Sequence, residues 1–140
     1  MEAREAMAMA SFQAGIAFGR TSVGYAHAIA HQLGRICGTP HGEANAMVLP
    51  EVLEAYGEAA REPLEQLARR VLPATPTARD LVEHIKMLRS ELGLPAKPDG
   101  LASGDFDGIV REALSEAGEF YPVPRYLGGS ELRPILNGLL

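Results

Sequence analysis

Apolar residues in this chain never settle into the every-other-residue alternation of a half-buried strand, and Ala and Leu dominate while Val, Ile and Tyr are sparse. The pattern predicts helices joined by Gly/Pro loops throughout. A first helix is expected over about residues 2–19, whose small residues in AMAMASFQAGIAF would let neighbouring helices come close. It has no N-cap, and the chain is expected to begin inside it. A turn at GRTS leads to a second helix over about 22–36, which GTP at 38–40 ends. A third runs from near His41 to about Tyr56, with Pro50 expected to kink or break it. A fourth places Pro63 near its first turn and reaches about Val71. After LPATPTARD, Thr77 is a plausible N-cap for a helix through Leu92. A loop, GLPAKPDGLASGD, precedes a helix from about Asp105 to Ala117. An irregular GEFYPVPRYLGG follows, then a last short helix capped by Ser130 with Glu131 in its first turn. No internal repeat is present. The expected architecture is a single all-α helical bundle of about six or seven helices.

Composition narrows the function classes. The 140 residues are 46% apolar, enough for one domain with a real core. Net charge is −5 with no basic block, which argues against nucleic acid and anionic membranes as partners. The apolar runs fall short of a membrane span. MEAREAMAMASFQ carries both charge signs and lacks the apolar core of a signal peptide. Cys37 is the only cysteine, which excludes an intrachain disulfide and fits a cytoplasmic location. With no acid–base partner in view, it reads as a small buried residue rather than a reactive thiol.

The chemistry-bearing stretch is GYAHAIAHQLGRICGTPHGEANA, residues 24–46, which holds three of the four histidines. His27 and His31 are four apart, so a helix stacks both imidazoles on one face. The turn after the second helix can fold the third back beside it and bring His41 to the same place. Two readings stand at this level: histidines hydrogen-bonded in a helical core, or a site that converges on a metal or one substrate. A catalytic Zn²⁺ or Fe²⁺ site takes three or four protein ligands, with carboxylate a natural companion. The first 79 residues contain no Asp, and Glu43, two positions after His41, would point elsewhere. Asn45 is placed to hydrogen-bond at the start of the third helix and could support a pocket. His84, in LVEHIKML, reads as a solvated or rim histidine on an amphipathic helix.

Three segments together resemble the hallmark region of the iron-containing (group III) alcohol dehydrogenase family: AGIAF at Ala14–Phe18, HAIAHQLG at His27–Gly34, and PHGEANAMVLP at Pro40–Pro50. ARDLVEHIKMLRSELGLP is similar to that family's later amphipathic helix, so the resemblance spans nearly the whole chain with its specificity in residues 10–50. It implies the family's all-helical C-terminal domain, which is related in fold to dehydroquinate synthase. It also implies a metal, Fe²⁺ or Zn²⁺, held by an Asp and three His. Carried over residue by residue, His27 and His41 match the last two metal ligands. His31 matches a histidine beside the substrate and nicotinamide that helps relay the proton, and Phe18 matches a pocket-lining aromatic. The Asp and the first His ligand have no counterpart here, and neither does the N-terminal NAD(P)-binding α/β domain. LGGSEL at 127–132 reads as a turn and helix cap, not as a dinucleotide-binding loop.

The implied function is the C-terminal part of a metal-dependent, NAD(P)-linked alcohol dehydrogenase that interconverts an alcohol and an aldehyde or ketone. It would be incomplete alone, as a split subunit, a truncated product or a fragment. The expected partners are a separate N-terminal cofactor-binding chain, the small-molecule substrate and a second copy in a homo-oligomer. The alternatives are a non-catalytic helical partner subunit that keeps the fold, and a fold-related metal-dependent synthase or lyase.

Overall fold

Tyr25, Ala28, Ile29, Gln32 and Leu33 form one stripe at helical spacing, and all five are buried. In the computed structural model, which describes residues 1–118 and 121–140, that stripe lies at the centre of the bundle. The helices are α1 (Glu2–Thr21), α2 (Tyr25–Cys37), α3 (His41–Tyr56), α4 (Glu58–Val71), α5 (Ala78–Glu91), α6 (Phe106–Ala117) and α7 (Gly129–Gly138), with a 3₁₀ turn at Ser103–Asp105. Among the described residues there is no strand, as the lack of period-two alternation requires. None of these helices is long and apolar enough to cross a membrane.

Helix α2 packs chiefly against α3 and α6. Its stripe meets Met47, Val48 and Val52 of α3, Ile109 and Ala113 of α6, and Leu132 and Leu136 of α7 in one buried cluster. The hairpin of α4 and α5 flanks α3, and Lys86 of α5 donates to Glu54 of α3 at 2.6 Å. Arg125 ties the segment before α7 to the end of α3. It donates to the Ala55 carbonyl at 2.6 Å and the Tyr56 carbonyl at 3.3 Å, and pairs with Glu131.

Helix α1 stands apart, since none of its residues is buried. Met7, Phe12 and Ile16 are exposed. The expectation that its small residues let neighbouring helices come close is therefore not met among the described residues, where no other helix packs extensively on α1.

Other boundaries differ for identifiable reasons. Ser22 takes φ 63° and Gly24 is extended, so α2 starts at Tyr25 rather than near 22. Pro50 does not break α3, and Pro63 lies inside α4, which begins at Glu58. A proline inside a helix removes one donor, and α4 continues past it with Ala60 and Ala68 buried on either side. Ser130 is not the cap of α7. Gly128 holds that position, and its N–H donates to the Glu131 carboxylate at 2.8 Å. Thr77 caps α5 as expected, in a reciprocal box with Asp80. Within the irregular 118–129 segment, Glu119 and Phe120 lie outside the described residues.

Candidate functional site

The turn between α2 and α3 builds the site. Gly38 caps α2 at φ 68°, with its N–H donating to the Gly34 carbonyl, and α3 begins at His41 after Pro40. A left-handed residue followed by a proline reverses the chain within a few residues, so α3 lies against α2 and His41 comes up beside the two α2 histidines. The ring centroids of His27 and His41 are 5.3 Å apart, those of His31 and His41 are 5.2 Å apart and nearly parallel, and those of His27 and His31 are 6.0 Å apart. The three imidazoles thus cluster on the surface at the flank of the stripe that builds the core.

Each ring sits in a different environment. His27 is half-buried, and its pKa lies below the usual imidazole range, first because burial penalises the cation and then because His41 and His31 are close. Glu116 pulls in the opposite direction with less effect. A neutral imidazole keeps a lone pair for a metal or a proton. His31 is more exposed, and its Nδ1 lies 2.7 Å from Glu116 Oε1 of α6. The Tyr121 hydroxyl donates to the same Glu116 oxygen at 2.9 Å. Burial first, and then this carboxylate, push the Tyr121 hydroxyl up to about 12. At His41, Asn45 Nδ2 donates to the His41 carbonyl at 3.0 Å and meets ring Nε2 at 3.3 Å. The other amide atom, Asn45 Oδ1, is buried with no hydrogen-bond partner, an acceptor for which these residues provide no donor.

The donor set suits a borderline divalent ion in kind, since imidazole is the commonest ligand for iron and zinc. It falls short in number: among the described residues no group of three or more His, Cys, Asp and Glu side chains is arranged to hold an ion. Phe18 is 52% exposed on α1, which buries no residue, so no pocket wall closes around it among the described residues. Burial raises the pKa of the Cys37 thiol, with Asp105 adding to the effect, which suits an unreactive residue. His84 borders a separate shallow cleft with Leu72, Pro76 and Met87, away from the trio. Glu116 and Tyr121 were invisible to spacing arguments, because Glu116 is 85 positions from His31 and only the packing of α6 on α2 brings them together.

Residues 1–135 match the Fe-containing alcohol dehydrogenase family, C-terminal region. The chain is 39% identical over 118 residues to the probable alcohol dehydrogenase EutG of Escherichia coli (strain K12), a match covering 83% of this chain and 30% of that protein. It is 35% identical over 128 residues to a 1,3-propanediol dehydrogenase of Klebsiella pneumoniae, covering 86% of this chain and 33% of that one. Among solved structures, a 1,3-propanediol oxidoreductase superposes with a TM-score of 0.91 at 33% identity, covering 99% of this chain and 38% of that chain. An alcohol dehydrogenase from Oenococcus oeni superposes with a TM-score of 0.79 at 30% identity, over 91% of this chain and 35% of that chain. The chain therefore spans about a third of the length of the relatives it matches.

Proposed function

The chain belongs to the Fe-containing alcohol dehydrogenase family, as its helical C-terminal region, and from that premise we propose that it is the metal- and substrate-binding part of an NAD(P)-linked alcohol dehydrogenase, acting with an N-terminal cofactor-binding part. The observation that carries this reading is the convergence of His27, His31 and His41 within 5.2–6.0 Å, centroid to centroid, in a chain with that ancestry. His27 and His41 are proposed to give two ligands to Fe²⁺ or Zn²⁺. The remaining ligands would come from the N-terminal part, in keeping with the short donor count here. Such an ion, when bound, polarises the alcohol oxygen and lowers its pKa. His31 then accepts the proton leaving that oxygen, and Phe18 borders the substrate once the two parts meet.

Helix α1 supports the partnership. The superposition at TM-score 0.91 takes in 99% of this chain, α1 included, but 38% of the other, so the other chain has further structure available to meet α1. The exposed Met7, Phe12 and Ile16 of α1 are the surface that the N-terminal part is proposed to cover. Similarity to an alcohol dehydrogenase and a 1,3-propanediol dehydrogenase supports alcohols and diols as candidate substrates.

The test joins this chain to the N-terminal part of the Klebsiella pneumoniae 1,3-propanediol dehydrogenase, in place of that enzyme's own matched region, and measures alcohol-dependent NAD⁺ and NADP⁺ reduction with added Fe²⁺ or Zn²⁺. Turnover that is lost in His27→Ala is the expected result, with none from the chain alone, because the nicotinamide must be held against the substrate carbon for hydride to pass. A folded, cofactor-binding but inactive hybrid would favour a non-catalytic helical subunit. Robust turnover by the isolated chain, insensitive to His27→Ala, would overturn the reading.

A further inference from the structure

Two donors from different parts of the fold converge on one oxygen of Glu116. His31 Nδ1 lies 2.7 Å from Oε1, and the Tyr121 hydroxyl lies 2.9 Å from it. A carboxylate oxygen is an acceptor only, so the imidazole nitrogen facing it must carry the hydrogen. We propose that Glu116, held by Tyr121, is a positioning residue that locks His31 in the Nδ1–H tautomer and so keeps the Nε2 lone pair free on the other edge of the ring.

Nearby features agree with this assignment. The Glu116 side chain is 28% exposed and the His31 side chain 43%, so Coulomb attraction across the pair is screened and contributes little to stability. What the contact does supply is direction. The tautomer and tilt of a histidine follow the hydrogen bond made by its other nitrogen. His31 also lies nearly parallel to His41, with ring centroids 5.2 Å apart. The proposed proton-accepting role of His31 is the only link to the functional reading above. In that role the alcohol proton passes to Nε2, and the resulting imidazolium stays hydrogen-bonded through Nδ1–H to a carboxylate that itself remains unprotonated. The same division of labour orients the histidine in a Ser-His-Asp triad.

The test is direct ¹⁵N NMR of the imidazole nitrogens of the intact chain, at a pH where the rings are neutral. The Nδ1–H tautomer should predominate at His31, although free imidazole side chains favour Nε2–H. Glu116→Ala should return His31 to the Nε2–H form while the tautomers of His27 and His41 stay as they were. An Nε2–H form at His31 in the wild-type chain, or a tautomer unchanged by Glu116→Ala, would overturn the proposal. If that variant does not fold, the wild-type tautomer decides alone. In the joined enzyme described above, Glu116→Ala should lower kcat by at least about 10-fold with the KM for the nicotinamide cofactor unchanged. A locked tautomer together with a His31→Ala variant of full activity would instead refute the proton-accepting role and leave the lock standing.

Discussion

Gly38 and Gly42 flank His41, and the same substitution at the two positions should move stability in opposite directions. Gly38 stands at φ 68° and ψ 14°. A Cβ built there meets nothing within 4 Å, so Gly38→Ala carries no steric clash. The cost that remains is that of a left-handed backbone for a residue with a Cβ, about 1–2 kcal/mol. Gly42 lies in the first turn of α3 without a positive φ, and a Cβ there also meets open space. Alanine at that position restricts the unfolded chain and suits the helix, for a gain of up to about 0.5–1 kcal/mol. For a chain of 140 residues, an unfolding entropy of about 2.1 cal/mol/K per residue converts 1 kcal/mol into about 3 °C of Tm. Gly38→Ala should therefore lower Tm by about 3–6 °C, and Gly42→Ala should raise it by up to about 3 °C. Thermal and urea unfolding followed by circular dichroism read both values. Gly38→Asn should recover part of the loss, because Asn tolerates the left-handed region. A Gly38→Ala protein as stable as wild type, or equal shifts of one sign at both positions, would refute the turn geometry that brings His41 to the α2 histidines.

Three further outcomes follow from the packing. Tyr25→Phe removes the hydroxyl that accepts the buried Leu127 N–H at 3.2 Å, and urea unfolding should show a loss of about 1–3 kcal/mol. The Glu131 carboxyl is held below the usual carboxylate range by the Gly128 N–H and then by Arg125. A carboxyl with a depressed folded-state pKa adds stability above its unfolded pKa and loses it as pH falls through the folded value, so Glu131→Gln should flatten the acid limb of a stability–pH curve. Amide hydrogen exchange should show α1 of the isolated chain opening far more readily than α2, because α1 buries nothing. Joining the N-terminal part should slow exchange in α1, and an α1 as protected as α2 in the isolated chain would contradict the packing.

Local signals were legible where they were chemically specific. Thr77 after a proline-rich loop announces α5, and the GTP punctuation announces the end of α2 before the reversal. The four-residue spacing of His27 and His31 gave the shared face, and the resemblance to the family then divided the roles expected of the two. Proline was read too strongly as a helix boundary: Pro50 marks no break in α3, and Pro63 lies beyond the first turn of α4. Pro50 and Pro63 each remove one helix donor, yet α3 and α4 run through them with residues buried on both sides of each proline. The cap of α7 was misplaced because Gly128 has no side chain to signal it, and Glu131 supplies the acceptor instead. The Glu116–Tyr121 support of His31 could not be read from spacing at all, since it exists only once α6 packs on α2. The isolation of α1 was equally hidden, because a small-residue helix looks the same whether or not its neighbour is in the chain.

The central claim, that His27 and His41 are two ligands of a metal site completed by another part of the protein, is tested most directly by metal content. The measurement is stoichiometric metal analysis after dialysis, on the isolated chain and on the joined enzyme. The isolated chain should retain little Fe²⁺ or Zn²⁺, because affinity falls steeply with each missing fixed donor. The joined enzyme should retain a stoichiometric ion, His27→Ala and His41→Ala should each lose it, and His31→Ala should keep it. A tightly held ion on the isolated chain, or one retained by the joined His27→Ala and His41→Ala enzymes, would contradict the account.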